Sequence, residues 1–174
     1  MTEPWDAIVL EAEHESKLWA GCVRSRDERQ LVTVFSSLAE PRFALGLETI
    51  YEGYLVHYGT PRLFAPPDHD VALLLGDYLY AHGLVRIASF GETHAVADLS
   101  ELISLCSQLR AEDAVGDGPL WAASAALLGT GPALDGARSA LRLRGDPGPL
   151  EAAARSAAGD EAVDRALAAH ATRR

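Results

Sequence analysis

Basic charge is scarce in this chain. Fifteen Lys plus Arg, of which Lys17 is the single lysine, stand against 25 Asp plus Glu, a formal net charge of −10. Such a balance works against non-specific attraction to phosphate backbones and to anionic membrane surfaces, so nucleic acid is not an expected partner. The arginines occur in small groups such as Arg24, Arg26 and Arg29 or Arg142 and Arg144, with no basic stripe carrying interleaved aromatics. Cysteine is equally sparse: Cys22 and Cys106 are far apart, form no C-x-x-C pair, and read as free thiols of a reducing compartment. The opening Thr2-Glu3-Pro4-Trp5-Asp6 places acid where a signal peptide carries base, and the longest aliphatic run, Val71 to Leu75, is too short to span a bilayer. The expectation is a cytoplasmic protein without a membrane span. The histidines at 14, 57, 69, 82, 94 and 170 lack the spacing of a catalytic zinc site, and neither Ser36-Ser37 nor Thr93-His94 lies in a nucleophile elbow.

What the chain does have is helical periodicity, with Gly and Pro falling between the periodic segments, so the expected fold class is all-α. The pattern predicts a first helix from Pro4 to about Arg24 and a second from Asp27 through Phe35. A third runs from Phe43 to about Val56, and a fourth from Val71 to about Ser89, whose near-continuous hydrophobicity predicts a central position. A fifth spans Thr93 to about Glu112, with Leu99, Ile103, Cys106 and Leu109 on one stripe, and a short one follows from Trp121 to Leu128. From Gly129 onward the chain turns Ala- and Gly-rich, with high helix propensity and little large apolar area. Residues 1–128 are therefore expected to form the bundle, and 129–174 a loosely packed helical extension on the same domain.

The fourth segment, Val71-Ala72-Leu73-Leu74-Leu75-Gly76-Asp77-Tyr78-Leu79-Tyr80-Ala81, resembles the A-x-L-x-G-D-[FY]-L-x-[AS] helix of the trans-prenyl diphosphate synthases. The likeness runs from about Phe43 to Leu128. In that family an R-R-G-x-P-T loop precedes this helix, and a D-D-x-x-D helix precedes the loop. Here the loop reads His57-Tyr58-Gly59-Thr60-Pro61, and Glu48-Thr49-Ile50-Tyr51-Glu52 stands at the Asp-rich position. Gly118-Pro119 takes the place of the Lys-Thr signature, and no F-Q-x-x-D-D-x-x-D helix follows. Asp160-Glu161-Ala162-Val163-Asp164 is its nearest counterpart and reads as the acidic first turn of a helix.

The resemblance implies an antiparallel bundle like the N-terminal part of such a synthase. It also implies magnesium, held by Glu48 and Glu52, and a prenyl diphosphate contacted by Glu48, Glu52, His57, Arg62 and Asp77. Glu48 and Glu52, four apart on a helix, share a face and a magnesium–diphosphate is within their chemistry. Ionising an allylic diphosphate, however, needs concentrated positive charge on the leaving group, and most of that apparatus is missing. The leading expectation is therefore a non-catalytic synthase-like protein, a regulatory or scaffolding partner that forms a homo-oligomer or a heteromer with a catalytic subunit. The alternatives are a residual magnesium-dependent prenyl diphosphate binder or prenyltransferase, and an unrelated helical interaction module. Each candidate residue also has an ordinary reading: a solvated face for Glu48 and Glu52, a core hydrogen bond or cap for Asp77, a surface histidine for His57. Phe43, Tyr51, Tyr54, Tyr58, Tyr78 and Tyr80 read as core or as walls of a prenyl pocket.

Overall fold

The structure, a computed structural model, describes residues 4–174. Among these residues the fold is all-α, with nine helices, four short 3₁₀ turns and no strand. The helices are α1 (Pro4–Glu15), α2 (Lys17–Ala20), α3 (Ala44–Tyr58), α4 (His69–Ala88), α5 (Thr93–Ala111), α6 (Asp117–Ala126), α7 (Asp135–Arg144), α8 (Gly148–Ala158) and α9 (Asp160–Ala171).

α1 buries Trp5, Ile8, Val9 and Ala12 on one stripe. The single helix expected from Pro4 to about Arg24 breaks at Ser16, whose hydroxyl accepts from the Trp19 N–H at 3.1 Å and caps the separate turn α2. The helix expected from Asp27 to Phe35 is absent. Only Arg26–Glu28 form a 3₁₀ turn, and the chain beyond is held extended by tertiary bonds: Gln30 N–H donates to Arg62 O at 3.2 Å, and Val32 O accepts from the Arg62 guanidinium at 2.8 Å. The apolar period of 31–35 serves that docking instead of a helix face.

α3 occupies the centre. Every residue from Gly46 to Val56 is buried, which corrects the expectation that the fourth helix would be central. α4 buries one face, Leu75, Gly76, Leu79, Tyr80, Gly83 and Ile87, and leaves Leu73, Leu74 and Val85 exposed on the other. The two run antiparallel and very close, because glycines face backbone across the contact: a Cβ on Gly53 would lie 3.0 Å from Gly76 O, and one on Gly83 would lie 3.0 Å from Gly46 O. Asp68 caps α4 by accepting from Val71 N–H at 2.9 Å. α4 is long and apolar enough to cross a membrane by length and composition, but its glycine face is committed to α3.

α5 adds Leu99, Leu102, Leu105, Cys106 and Leu109 to the core, and α6 adds Leu120, Trp121 and Ala122–Ala125. The Ala-rich C-terminal part is not loosely packed. Leu150 and Ala154 of α8 and Val163 of α9 are fully buried and join the same core as Leu47 and Ile50. Small side chains let these helices approach α6 closely, so modest apolar area per residue still yields a dry contact. A second cluster joins α1 and α2 to Val56, Leu63, Phe64, Leu75 and Leu79.

Candidate functional site

Glu48 and Glu52 project from one face of α3 as their spacing requires, and Arg62, from the loop between α3 and α4, is inserted between them. Its Nε donates to Glu52 Oε2 at 2.9 Å and its Nη1 to Glu48 Oε2 at 2.7 Å. The remaining carboxylate oxygens are also engaged. Glu52 Oε1 accepts from the Arg62 and Leu63 backbone N–H groups at 2.8 and 2.7 Å, and Glu48 Oε1 accepts from Ser36 Oγ. All three charged residues are at most 1 % exposed. The guanidinium also lies 4.7 Å from the Trp5 ring and 5.0 Å from the Tyr51 ring. Burial opposes its charge, but Glu52 and Glu48 together hold its pKa above the ordinary arginine value.

This arrangement does not fit magnesium. The ion requires octahedral oxygen ligands and keeps several waters, whereas here a fixed cation stands between the carboxylates and every carboxylate oxygen has a donor. Among the described residues no group of three His, Cys, Asp or Glu side chains is placed to hold a metal.

His57 and Asp77 do not join that cluster. His57 lies nine residues after Glu48, on the opposite side of α3, where its ring covers Gly76 so closely that a Cβ there would fall 2.4 Å from Nε2. Its side chain is 7 % exposed, which corrects the surface reading, and Nε2 stands 3.2 Å from Asp77 Oδ1 without hydrogen-bond alignment. Asp77 points outward with 74 % of its side chain exposed, neither in the core nor capping a neighbour. Burial lowers the His57 pKa, with Asp77 pulling the other way. The five residues expected to share a site thus divide into a closed ion cluster of three and a separate pair.

A second buried network escapes the sequence reading. Asp117, 1 % exposed at the start of α6, accepts from Tyr54 OH and lies 3.4 Å from His170 Nε2 and 3.3 Å from Arg174 Nη1. His170 Nδ1 meets Tyr51 OH at 2.9 Å, and Arg110 Nη2 donates to Tyr54 OH at 3.1 Å. Phe35, Tyr51 and Tyr54 surround the His170 ring at centroid distances of 5.3–6.0 Å. Burial alone would raise the Asp117 carboxyl, yet the close approach of the His170 ring and the hydrogen bond from the Tyr54 hydroxyl hold it far below the usual carboxylate range. Burial drives Tyr51 and Tyr54 well above the usual phenol value. Sequence offered one signal, a lone acid between two glycines ahead of Trp121, but nothing to connect it with a histidine more than fifty residues later.

The aromatics divide accordingly. Phe43, Tyr51, Tyr54 and Tyr80 are buried in the core, with Tyr51 and Tyr54 edge-on to Trp121, while Tyr58 and Tyr78 are partly exposed. Both cysteines are free and buried. Comparison with family models, curated proteins and solved structures finds no match to this chain.

Proposed function

We propose that this protein is a non-catalytic helical subunit, synthase-like in the α3–α4 pair, that works by associating with another chain. The observation that carries the reading is the Arg62 cation fixed between Glu48 and Glu52: the acidic pair that a metal–diphosphate would need is saturated from within. The surface that supports association is the outer face of α4. Leu73, Leu74 and Val85 are 41, 57 and 66 % exposed there, aligned with Ala81 and Ala88 along a helix about 30 Å long. Covering a Leu or Val side chain is worth about 1.5–3 kcal/mol, so such a stripe is a strong contributor to an interface. The partner is a second copy or a catalytic prenyl diphosphate synthase subunit.

Light scattering on the purified chain, with co-elution against such a synthase, tests the association. Leu74→Glu/Val85→Glu is expected to abolish it while leaving the thermal melt near that of the parent, because both residues are exposed in the single chain. A monomer that fails to co-elute with the synthase sinks the reading. So does turnover of an allylic diphosphate with isopentenyl diphosphate by the pure protein. A magnesium-dependent rise in melting temperature with farnesyl diphosphate, lost in Glu48→Gln, supports a diphosphate binder instead.

A further inference from the structure

Along the outer face of α4 one charge interrupts the apolar stripe. Asp77 stands between Leu74 and Ala81 with 74 % of its side chain exposed, so a chain that covers Leu74 and Val85 also removes this carboxylate from water. The stripe is self-complementary. Leu73 and Leu74 project toward its first end, and an apolar hollow of about 270 Å³, lined by Ala88, Gly91, Glu92, Thr93 and Val96, opens at the other. Ala81 lies midway between Leu74 and Ala88, nearly two helical turns from each. A second copy laid antiparallel about Ala81 therefore sets each Leu74 at the hollow of the other, the closed two-fold arrangement commonest among homodimers. The strip is about 30 Å long and roughly 10–12 Å wide, less than half of the ~800 Å² per partner of a standard interface. Apolar burial on that scale gives a weak dimer, one that a single uncompensated charge prevents.

This packing supplies no cation to Asp77. The residues of the second copy at its height are Leu84, Val85 and Ala88, while His82 and Arg86 turn aside to Glu11 of α1. Among the described residues the one base paired with the Asp77 carboxylate is His57 of the same chain, its Nε2 3.2 Å from Oδ1. The His57 ring also faces His69 and Tyr80 of α4 and its neighbour Tyr58 in α3. Burial and His69 lower the His57 pKa and Asp77 opposes them, with burial the largest influence, so the ring is neutral at neutral pH. Covering Asp77 changes that balance, because a carboxylate taken out of water holds a neighbouring proton more strongly.

We infer that protonation of His57 switches on the pairing of two copies of this chain through α4, an inference that rests on the association proposed above. At neutral pH the bare Asp77 carboxylates keep the copies apart. On acidification each chain takes up a proton as it pairs, and the imidazolium neutralises Asp77 inside the interface.

The test is sedimentation equilibrium of the full chain at about 0.15 M salt, where long-range repulsion between acidic chains is largely screened. The dimer Kd is expected to fall at least about tenfold from pH 7.5 to pH 5.5, and to stay above the low micromolar concentrations of a thermal melt throughout. Asp77→Asn, at an exposed position, is expected to pair at pH 7.5 about as tightly as the parent does at pH 5.5, with little dependence on pH. His57→Asn is expected to lose the acid strengthening. A parent Kd that is the same at both pH values overturns the switch and leaves the association reading intact, as does acid strengthening that persists in His57→Asn. A chain that stays monomeric at both pH values, Asp77→Asn included, overturns the inference, and co-elution with a synthase then decides the association reading separately.

Discussion

Arg62→Met is the most informative perturbation of this chain, because it removes the cation of the Glu48–Arg62–Glu52 cluster while keeping much of the side-chain volume. Breaking one partner out of a buried ion pair costs about 3–5 kcal/mol, since a desolvated charge is left behind. Glu52 retains two backbone N–H donors and Glu48 retains Ser36, so neither carboxylate is left bare. The expected loss is about 4 kcal/mol, a large part of the roughly 5–15 kcal/mol that holds a typical domain together. Replacing all three charges, Arg62→Met/Glu48→Gln/Glu52→Gln, keeps acceptors for Ser36 and the two backbone donors and removes the stranded charge. Its stability is expected within about 1 kcal/mol of the parent.

Urea unfolding of the three proteins at pH 7 reads the difference through the midpoint at constant slope. An Arg62→Met protein within about 1 kcal/mol of the parent, or a triple variant as unstable as the single one, would refute the reasoning. Magnesium that stabilised Arg62→Met and left the triple variant untouched would mean that the carboxylates accept a divalent ion once the guanidinium is gone.

Gly53→Ala gains helix propensity of about 1 kcal/mol but sets its Cβ 3.0 Å from Gly76 O; a net destabilisation of about 1–2 kcal/mol in urea is expected, and a stabilised protein would show that α3 and α4 are not held this close. Burial keeps the folded His57 pKa below the ordinary 6.5, so its contribution is present above that value and is lost as pH falls toward the folded pKa, the unfolded chain taking the proton first. The difference in melting temperature between the parent and His57→Asn should therefore narrow from pH 7.5 to about pH 5; a difference that widens would contradict the burial of the ring. Burial raises the pKa of both Cys22 and Cys106, so a thiol-specific disulfide reagent should label them only at the rate of unfolding; rapid labelling of the native protein would disagree with the packing.

The helices that sequence places well are those in which local period and tertiary burial agree. Phe43 to Val56, Val71 to Ser89 and Thr93 to Glu112 are expected, and Ala44–Tyr58, His69–Ala88 and Thr93–Ala111 are found. The segment 27–35 fails because its partner is distant: its backbone is spent on Arg62, some thirty residues away, and nothing local records that bond. The rank of α3 over α4 fails for a related reason. Glu48, Glu52 and two glycines interrupt the apolar run of the most buried helix, while Leu73, Leu74 and Val85 lengthen that of a half-exposed one. Composition reports what a helix contains, and burial depends on what its neighbours supply.

The same distinction governs the site. Spacing alone places Glu48 and Glu52 on one face, and it does so correctly, but the meaning of a carboxylate pair is fixed by the cation opposite. An open pair facing solvent is a metal site in waiting, whereas a pair closed on an arginine that also binds Val32 O and stacks on Trp5 and Tyr51 ties α1, the 30–34 segment and α3 together. Asp117 repeats the pattern with Tyr54, His170 and Arg174, which ties α9 and Arg174 to α3 and α6. Each buried acid that invites a ligand from outside is thereby answered from within the chain. The apolar surface left uncovered lies elsewhere, on the outer face of α4, where Leu73, Leu74 and Val85 stay exposed.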